Sequence, residues 1–517
     1  MEKTKKQAYN LSYCLHFDEE IPESCRDRVF QSLKRQTVRD RKLALCDVVH
    51  SEELNSSQIC LFMTAEIVFE PHFLESLEKD FQSEECQVIY TDYKWVKPLD
   101  KDTRCNILLP DWSPERFLST DYLGSAIAVK SNCLPDERLA HQKLTRSKVT
   151  SIIIHENLKV MHDDSFGYLQ YGPDLSDQIS EEDLINSLPE SRKKTSVSKS
   201  KLASFDVSNR EFSPSLISIV IPTRGTIRRG SKSMVEECIE SISLQDVGSR
   251  RVEVVVVYDT NADTEYVSNL SSLASAKLSV VTVPFTSDFN FAEKCNVGAR
   301  HSTGEVIVFQ NDDTLWLGSS GLLELAGCAS LPNVGAAGAK LYFEDRSIQH
   351  AGFIIKNGGV GHAYFRDIAT VGPCGDLAIT HEVMGVTGAC LAQTRDVWST
   401  SGGWDESLPG SYNDVDYCFR IRAQRYNILQ VNSAELIHFE SISRDPKLKP
   451  FELETINRRW SKDLGREKFM RAARDNTNRR LPGNIVISYF NYGFEILRRD
   501  GIGAFLQTVR GFIKKII

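Results

Sequence analysis

Two adjacent carboxylates, Asp312 and Asp313, follow a short apolar run and the polar residues Gln310 and Asn311. Neighbouring carboxylates are costly to keep ionised together unless a cation neutralises them. Mg²⁺ and Mn²⁺ prefer such oxygen ligands, and an ion held here would stabilise the charge on a departing diphosphate. The alternative is a polar turn in which aspartate accepts backbone hydrogen bonds. The pair alone does not decide between the two.

A second acidic cluster, at residues 413–416, reads NDVD and precedes a segment that favours a helix. Asp414 is a candidate general base that takes the proton of an acceptor hydroxyl. The alternative is that Asp414 and Asp416 only cap the helix and interact with its dipole. His438 follows a strand-like run and could ligate a divalent metal as a neutral imidazole, although a lone histidine is more often an ordinary residue.

These candidates lie near the ends of predicted strands. Short apolar runs alternate with polar and helical segments, which predicts a parallel α/β sheet. The four runs lie at residues 216–221, 252–257, 278–283 and 306–309, with a helix predicted at 233–244. Because ligands sit at the carboxyl ends of such strands, Asp259 after the second run and Asp312 and Asp313 after the fourth are expected at one crevice.

Eight motifs follow one another in a fixed order along this region. They are SIVIPTR (218–224), VVVVYDTNAD (254–263), FNFAEKCNVGARHSTGEVIVFQNDDT (289–314), NVGAAGAKLYFEDRSIQHAG (333–352), VTGACL (386–391), GGWDE (402–406), NDVDYCFRIRAQRY (413–426) and AELIHFESISR (434–444). In this order they resemble the family 2 glycosyltransferases, and among them the O-antigen and rhamnan-type polysaccharide biosynthesis enzymes with tandem transferase domains. The resemblance implies an α/β GT-A fold, which is a Rossmann-like nucleotide-diphospho-sugar transferase domain.

The resemblance also implies a role for each matching residue. Asp414 would be the catalytic base of an inverting transfer, and Asp313 and His438 would hold a divalent metal, Mn²⁺ or Mg²⁺. Asn311 replaces the first acidic residue of a strict DxD motif and leaves one fewer charge. Trp404 and Asp405 would contact the acceptor. The nucleotide-sugar donor would be bound by Pro222, Thr223, Arg224, Asp259, Asn290, Asn296 and Asp312.

The N-terminal region resembles the first of two tandem transferase domains, through VIYTDYKWVKPLDKDTRCNILLPDWSPERFLSTDYLGSAIAVK at 88–130. Where the metal motif should follow a strand at 58–63, the sequence reads Thr64-Ala65-Glu66, with a single carboxylate. We therefore expect a degenerate, inactive GT-A-like domain in which Asp92 and Asp111 are structural. A second active site and an unrelated α/β domain are the alternatives.

Composition shifts divide the chain into four segments. The stretch 172–214 is rich in Ser, Lys and Glu, which predicts a polar linker with one short helix. It separates the degenerate domain (1–171) from the catalytic domain (215–481). The end of the chain (482–517) is basic and amphipathic, so it is interpreted either as a helix on an anionic membrane surface or as one packed on the protein.

Bulk composition excludes several classes of protein. The net charge of -8 disfavours a nucleic-acid partner. Thirteen cysteines without a CxxC pair predict reduced thiols rather than disulfides or a zinc site. No signal peptide or 18-residue apolar stretch is found. We therefore expect a cytoplasmic enzyme, in peripheral contact with the membrane if the tail binds lipid, whose partners are a nucleotide-sugar donor and a glycan or lipid-linked glycan acceptor.

Two other functions fit parts of the pattern. A catalytically silent nucleotide-sugar-binding scaffold would not need Asp313, Asp414 and His438 together. A nucleotidyltransferase would need a basic loop for a triphosphate, which the cations at 224–232 could supply. The products distinguish these functions, because sugar transfer releases a nucleoside diphosphate and nucleotidyl transfer releases pyrophosphate.

Overall fold

The computed structural model describes eleven stretches of the chain, which form two compact units with a boundary between residues 193 and 206. The described stretches are 12–17, 21–38, 41–45, 58–83, 85–97, 100–134, 145–171, 178–229, 232–261, 264–439 and 449–471. The predicted tail at 482–517 lies outside them. Within the described residues, no helix is long and apolar enough to cross a membrane.

The N-terminal unit is built on one mixed sheet with helices between its strands. Its strands are Ser12–Phe17 (β1), Lys42–Leu45 (β2), Gln58–Met63 (β3), Ile67–Phe69 (β4), Val88–Lys97 (β5), Asp100–Ile107 (β6), Ala126–Lys130 (β7) and Val160–Gln170 (β8). Its helices are Glu23–Lys34 (α1), Phe73–Asp80 (α2), Pro114–Ser119 (α3) and Arg146–His155 (α4).

The stretch predicted as a linker contains regular elements where the structure describes it. They are Glu181–Ser187 (α5), Ser196–Lys199 (β9) and Phe205–Ser208 (β10). At its end, Ser208 Oγ and the Asn209 amide donate hydrogen bonds of 2.5 and 2.8 Å to the buried Glu324 carboxylate. Residues 208–209 are therefore packed on the C-terminal unit, whereas their polar composition predicts a linker without fixed contacts.

The C-terminal unit holds a larger mixed sheet flanked by helices on both faces. Its strands are Leu216–Thr223 (β11), Ile227–Arg229 (β12), Lys232–Ser233 (β13), Arg251–Asp259 (β14), Leu278–Phe285 (β15), Val306–Gln310 (β16), Thr314–Leu317 (β17), Val334–Tyr342 (β18), Ile348–His350 (β19), Phe353–Lys356 (β20), Gly359–His362 (β21), His381–Glu382 (β22), Cys390–Thr394 (β23) and Asn427–His438 (β24). Its helices are Met234–Ser243 (α6), Val267–Leu270 (α7), Phe291–His301 (α8), Gly321–Ala329 (α9), Arg395–Ser401 (α10), Asn413–Ala423 (α11) and Pro450–Trp460 (α12).

The two sheets have the same strand order and the same strand directions. The N-terminal order is β2-β1-β3-β7-β5-β8-β4, and the C-terminal order is β14-β11-β16-β23-β18-β24-β17, extended at its start by β15. In both, the first three strands are parallel, the fourth is antiparallel to its neighbours, the next two are parallel and the last is antiparallel. The N-terminal unit therefore has the same sheet topology as the C-terminal unit.

The strands at the centre of the C-terminal sheet are buried on both faces, which explains their continuous apolar runs. Ile219 on β11 packs into one core with α6 and α9, while Val220 packs into the other with α8. The approach of α8 is close: a Cβ on Gly298 would lie 2.2 Å from Val220 Cγ1 and 3.0 Å from Val257 Cγ2. The absent side chain therefore sets how near α8 lies to the sheet.

None of the twelve cysteines that the structure describes forms a disulfide. Nine of them are buried, among them Cys238, Cys390 and Cys418. Burial raises the pKa of the Cys418 thiol to about 12. These cysteines therefore behave as small apolar side chains of the core.

Candidate active site

A cleft of about 390 Å³ opens at the carboxyl ends of β11 and β16. The strands β11, β14 and β16 run parallel, so the residues that follow them meet at one edge of the sheet. Seven of the site residues predicted from the sequence line this cleft, together with their neighbour Asn311. The seven are Pro222, Thr223, Arg224, Asp312, Asp313, Asp414 and His438.

The antiparallel pairing of β17 with β24 brings together two candidate metal ligands from distant parts of the chain. Thr314 pairs with His438, so Asp313 lies next to the histidine, with 3.1 Å between Asp313 Oδ1 and His438 Nε2. On its other nitrogen, His438 Nδ1 lies 2.6 Å from Gln349 Oε1. Since the Gln349 oxygen can only accept, Nδ1 carries a proton, and in the neutral ring the Nε2 lone pair faces the carboxylate.

This pair fits a divalent cation. A carboxylate oxygen and an imidazole lone pair are both electron donors, and a cation is the group that both can face. Among the residues that the structure describes, no cluster of three His, Cys, Asp or Glu side chains is placed to hold a metal. The protein would therefore supply two ligands here, and the remaining positions would be filled by a diphosphate and water.

Asp312 lies in the same turn and faces the end of β11. Its Oδ2 accepts a 2.6 Å hydrogen bond from Thr223 Oγ1, which links the ends of β11 and β16. Burial, and then the charge of Asp313, raise the pKa of Asp312 to about 7. The acidic pair thus shares less than two full negative charges near neutral pH unless a cation is bound.

A buried cation, Lys294 on α8, lies beside the ends of β11 and β14 and was missed in the sequence. Its Nζ lies 2.6 Å from Asp259 Oδ1 and donates a 3.0 Å hydrogen bond to the Thr223 carbonyl. Arg224 Nε lies 3.6 Å from the other oxygen of Asp259 and is half exposed. Burial lowers the pKa of Lys294, while Asp259 opposes that shift. The signal in the sequence is a lysine close to apolar residues in FAEKC at 291–295.

Asp414 is the second residue of α11 and faces the cleft. Its Oδ2 accepts the Gly388 amide at 3.1 Å, and its Oδ1 accepts the Val415 amide at 2.9 Å. A Cβ on Gly388 would lie 2.9 Å from the Trp404 ring and 3.5 Å from Asp414 Cβ. Because residue 388 is a glycine, its backbone can come close enough for its amide to hold the Asp414 carboxylate.

The other acidic residue of the cluster, Asp416, has a different environment. It is fully buried and accepts hydrogen bonds from Arg420 Nε at 2.8 Å, Arg459 Nη1 at 2.9 Å and Trp460 Nε1 at 3.0 Å. These contacts fasten α11 to α12. Asp416 thus holds the helix that carries Asp414, rather than capping it.

Two asparagines expected in the donor pocket lie outside the lining of the cleft. Asn290 caps α8 by accepting the Glu293 amide, and it donates to the Glu406 carbonyl. The Asn296 amide group bonds both backbone groups of Trp404, at 2.8 and 2.9 Å. Both side chains hold the loop at 404–406, and the neighbouring Phe289 and Phe291 line the cleft instead.

The expected acceptor contacts of Trp404 and Asp405 also need correction. Trp404 is 2% exposed and packs against Phe309 and, in a stacked pair, Tyr417. Its ring supports the cleft from behind Gly388, and the residue lines the same surface pocket as Asp405. Asp405 lies in a separate surface pocket and binds Arg459 Nη1 at 2.5 Å. The sequence gives no signal that separates a loop tryptophan buried behind the cleft from one exposed within it.

Comparison with known proteins assigns the central segment to a family. Residues 218–343 match the model of glycosyl transferase family 2. An uncharacterized protein of Sinorhizobium fredii is 31% identical over 256 residues, which cover 47% of this chain and 27% of that protein. The O-antigen biosynthesis protein RfbC of Myxococcus xanthus is 26% identical over 403 residues, covering 74% and 31%. The chain thus spans less than a third of the length of either relative.

Solved structures give more distant likenesses. GalNAc-T7 with UDP, GalNAc and Mn²⁺ has a TM-score of 0.38 and 11% identity, covering 49% of this chain and 50% of that one. The mannosyltransferase PcManGT of Pyrobaculum calidifontis with GDP-Man and Mn²⁺ has a TM-score of 0.35 and 16% identity, covering 60% and 89%. TM-scores of this size carry no argument about the site.

The family match and the cleft agree on a class. Residues 218–343 thus form a glycosyltransferase segment of family 2, and the chain is similar to an O-antigen biosynthesis protein.

Proposed function

We propose that the C-terminal unit is an inverting, metal-dependent glycosyltransferase that moves a sugar from a nucleoside diphosphate to a glycan or lipid-linked glycan in cell-surface polysaccharide biosynthesis. The observation that carries the proposal is the meeting of three groups in one cleft. These are the candidate metal-ligand pair Asp313 and His438, the carboxylate of Asp414, and the polar end of β11 with Lys294 beside it. The similarity to RfbC supports the pathway.

In the proposed reaction each group has one task. Arg224, Asp259 and Lys294 bind the nucleotide. Asp313 and His438 would hold Mn²⁺ or Mg²⁺, which would supply positive charge to the diphosphate. Asp414 accepts the proton of the acceptor hydroxyl as the hydroxyl oxygen forms its bond to the anomeric carbon. The bond from that carbon to the phosphate oxygen breaks, and the nucleoside diphosphate leaves with the electron pair. Attack from the opposite face inverts the configuration.

The proposal is tested first by binding and then by products. Calorimetry with UDP, dTDP and GDP, each with and without Mn²⁺, should show one nucleotide that binds only with the metal. Incubation with the matching nucleotide sugars and a panel of glycan acceptors should release nucleoside diphosphate and form a linkage of inverted configuration. Folded protein that binds no nucleotide contradicts the donor site. Binding without any sugar transfer favours the silent scaffold, and pyrophosphate release favours nucleotidyl transfer.

A further inference from the structure

A second histidine, His362, lines the cleft at the end of the β20–β21 hairpin. The hairpin is an antiparallel pair in which Phe353 lies opposite His362. His362 is exposed, and its Nδ1 lies 2.7 Å from Nδ1 of His350 on β19. His350 is fully buried. The proposed transfer reaction assigns no task to either residue.

The hydrogen bonds determine which nitrogen of each ring carries a proton. The Thr387 amide donates to His350 Nε2 at 3.2 Å, and a backbone N–H can only donate. His350 Nε2 therefore has no proton, and the neutral ring carries its single proton on Nδ1. Burial lowers the pKa of His350 well below its usual range, in agreement with a neutral ring.

The same logic applies to His362. Because His350 Nδ1–H donates to His362 Nδ1, the neutral His362 ring carries its proton on Nε2. In His438 the order is reversed, since Nδ1 donates to Gln349 and Nε2 has the lone pair. Gln349 and His350 are consecutive residues, so one short segment sets opposite tautomers in two histidines of the cleft. His438 is a metal ligand by this geometry, and His362 is a hydrogen-bond donor.

The position of the pair indicates what His362 would meet. His350 accepts a hydrogen bond from the Thr387 amide. The amide of the following residue, Gly388, donates to the carboxylate of Asp414. His362 thus belongs to the wall that carries the base, while Arg224 and Lys294 lie on the wall of the nucleotide. The groups expected near the base are hydroxyls of the two sugars that meet there.

We propose that His362 donates its Nε2–H to a sugar hydroxyl oxygen in the cleft, and that His350 positions the ring for this contact. The inference rests on the proposed sugar transfer. The shared chemistry is a hydroxyl oxygen, which belongs either to the transferred sugar or to the acceptor. His362 would then contribute to the choice of sugar, with no part in holding the diphosphate.

The test compares three cleft variants in the full chain. His362→Leu removes the donor, and we expect a roughly tenfold higher KM for one of the two sugar substrates, the effect of one lost hydrogen bond. His362→Gln keeps an N–H at similar reach and should recover most of this loss. His350→Leu leaves His362 in place without its partner and should raise the same KM. Nucleoside diphosphate affinity should change less than about twofold in all three.

Controls separate this inference from the proposed function. Lys356→Ala, on the exposed turn of the same hairpin, should leave both KM values unchanged. Transfer by the wild type in the same assay establishes the proposed function. A higher donor KM assigns the hydroxyl to the transferred sugar, and a higher acceptor KM assigns it to the acceptor. Unchanged KM values in folded His362→Leu, or no recovery in His362→Gln, would overturn the inference while the proposed function stands.

Discussion

The two units share one sheet topology but differ where the third strand of each sheet ends. Between β16 and β17 the C-terminal unit has Asn311-Asp312-Asp313, and between β3 and β4 the N-terminal unit has Thr64-Ala65-Glu66. In the N-terminal unit, Arg28 Nη2 lies 2.6 Å from Glu66 Oε1. A protein cation thus neutralises the single carboxylate at the position where the C-terminal unit has its candidate metal ligand.

The strand register extends this comparison. The first residue of β17 lies opposite His438, and the first residue of β4, Ile67, lies opposite Gln170. Gln170 is buried and accepts a hydrogen bond from Ser125 Oγ. The positions of both candidate metal ligands therefore hold other residues in a sheet that keeps its order and directions. The topology depends on apolar patterning, so it persists when the polar residues at the strand ends change.

A further pair of acidic residues shows how the N-terminal unit uses its carboxylates. Asp92 and Asp111 each lie 3.0 Å from one ring nitrogen of the buried His162. Asp92 also accepts the Leu109 amide. These carboxylates hold β5, β8 and the loop before α3 together, as expected for structural residues.

The largest expected effect comes from the proposed base. Asp414→Asn should lower turnover roughly 10²- to 10⁴-fold, because the amide cannot take the proton, and should leave nucleotide affinity within about twofold. The matched change is Ser147→Ala, at the second residue of α4, which should have no effect on transfer. Equal turnover in Asp414→Asn and the wild type would remove Asp414 from the reaction.

The next largest difference between the units is expected from Asp313 and the corresponding residue of the N-terminal unit, Glu66. Asp313→Ala is expected to abolish Mn²⁺-dependent nucleotide binding and to lower turnover on the order of 10³-fold, since several kcal/mol of charge stabilisation are lost. Glu66→Ala should leave both quantities unchanged. Calorimetry with the bound nucleotide and Mn²⁺ measures the first effect. An equal loss in the two variants would show that the N-terminal unit takes part in metal binding.

A smaller effect is expected from the partner of His438. Gln349→Leu removes the acceptor that fixes the Nδ1 proton, and it should weaken Mn²⁺ affinity roughly 10- to 100-fold. Gln349→Glu retains an acceptor and should bind Mn²⁺ more tightly than the leucine variant. If both variants bind Mn²⁺ like the wild type, Gln349 does not orient the ligand.

The smallest effect concerns the stability of the N-terminal unit. Burial would raise the pKa of Asp121, but Arg146, with Nε at 2.7 Å, outweighs it and the pKa is lowered. A lowered pKa contributes stability above the unfolded value of about 3.9 and loses it as the pH falls through the folded value. Asp121→Asn should therefore cost about 1 kcal/mol at pH 7, since solvent screens the partly exposed carboxylate, and progressively less below about pH 4.

Hydrogen exchange of peptides from residues 114–155 measures this change within the full chain. Asp27→Asn, on the exposed face of α1, is the control and should exchange like the wild type. A cost for Asp121→Asn that does not vary with pH would contradict the charge pairing. Transfer by the C-terminal unit should be unaffected at pH 7, in keeping with a structural role for the N-terminal carboxylates.

The sequence by itself determined the elements and the strand-end carboxylates. Continuous apolar runs can be buried only as central strands, so β11, β14 and β16 and the residues after them followed from local pattern. The order of motifs also identified Asp414 and His438 as candidates. These conclusions depend on neighbours in the chain, which a sequence displays directly.

Tertiary structure alone decided which candidates meet. The pairing of β17 with β24 places His438 beside Asp313, and the contact of α8 with β14 places Lys294 beside Asp259. Burial likewise turned Trp404 into a support for the cleft. A sequence does not display such distances or exposures, because they arise from the packing of distant segments against a shared sheet.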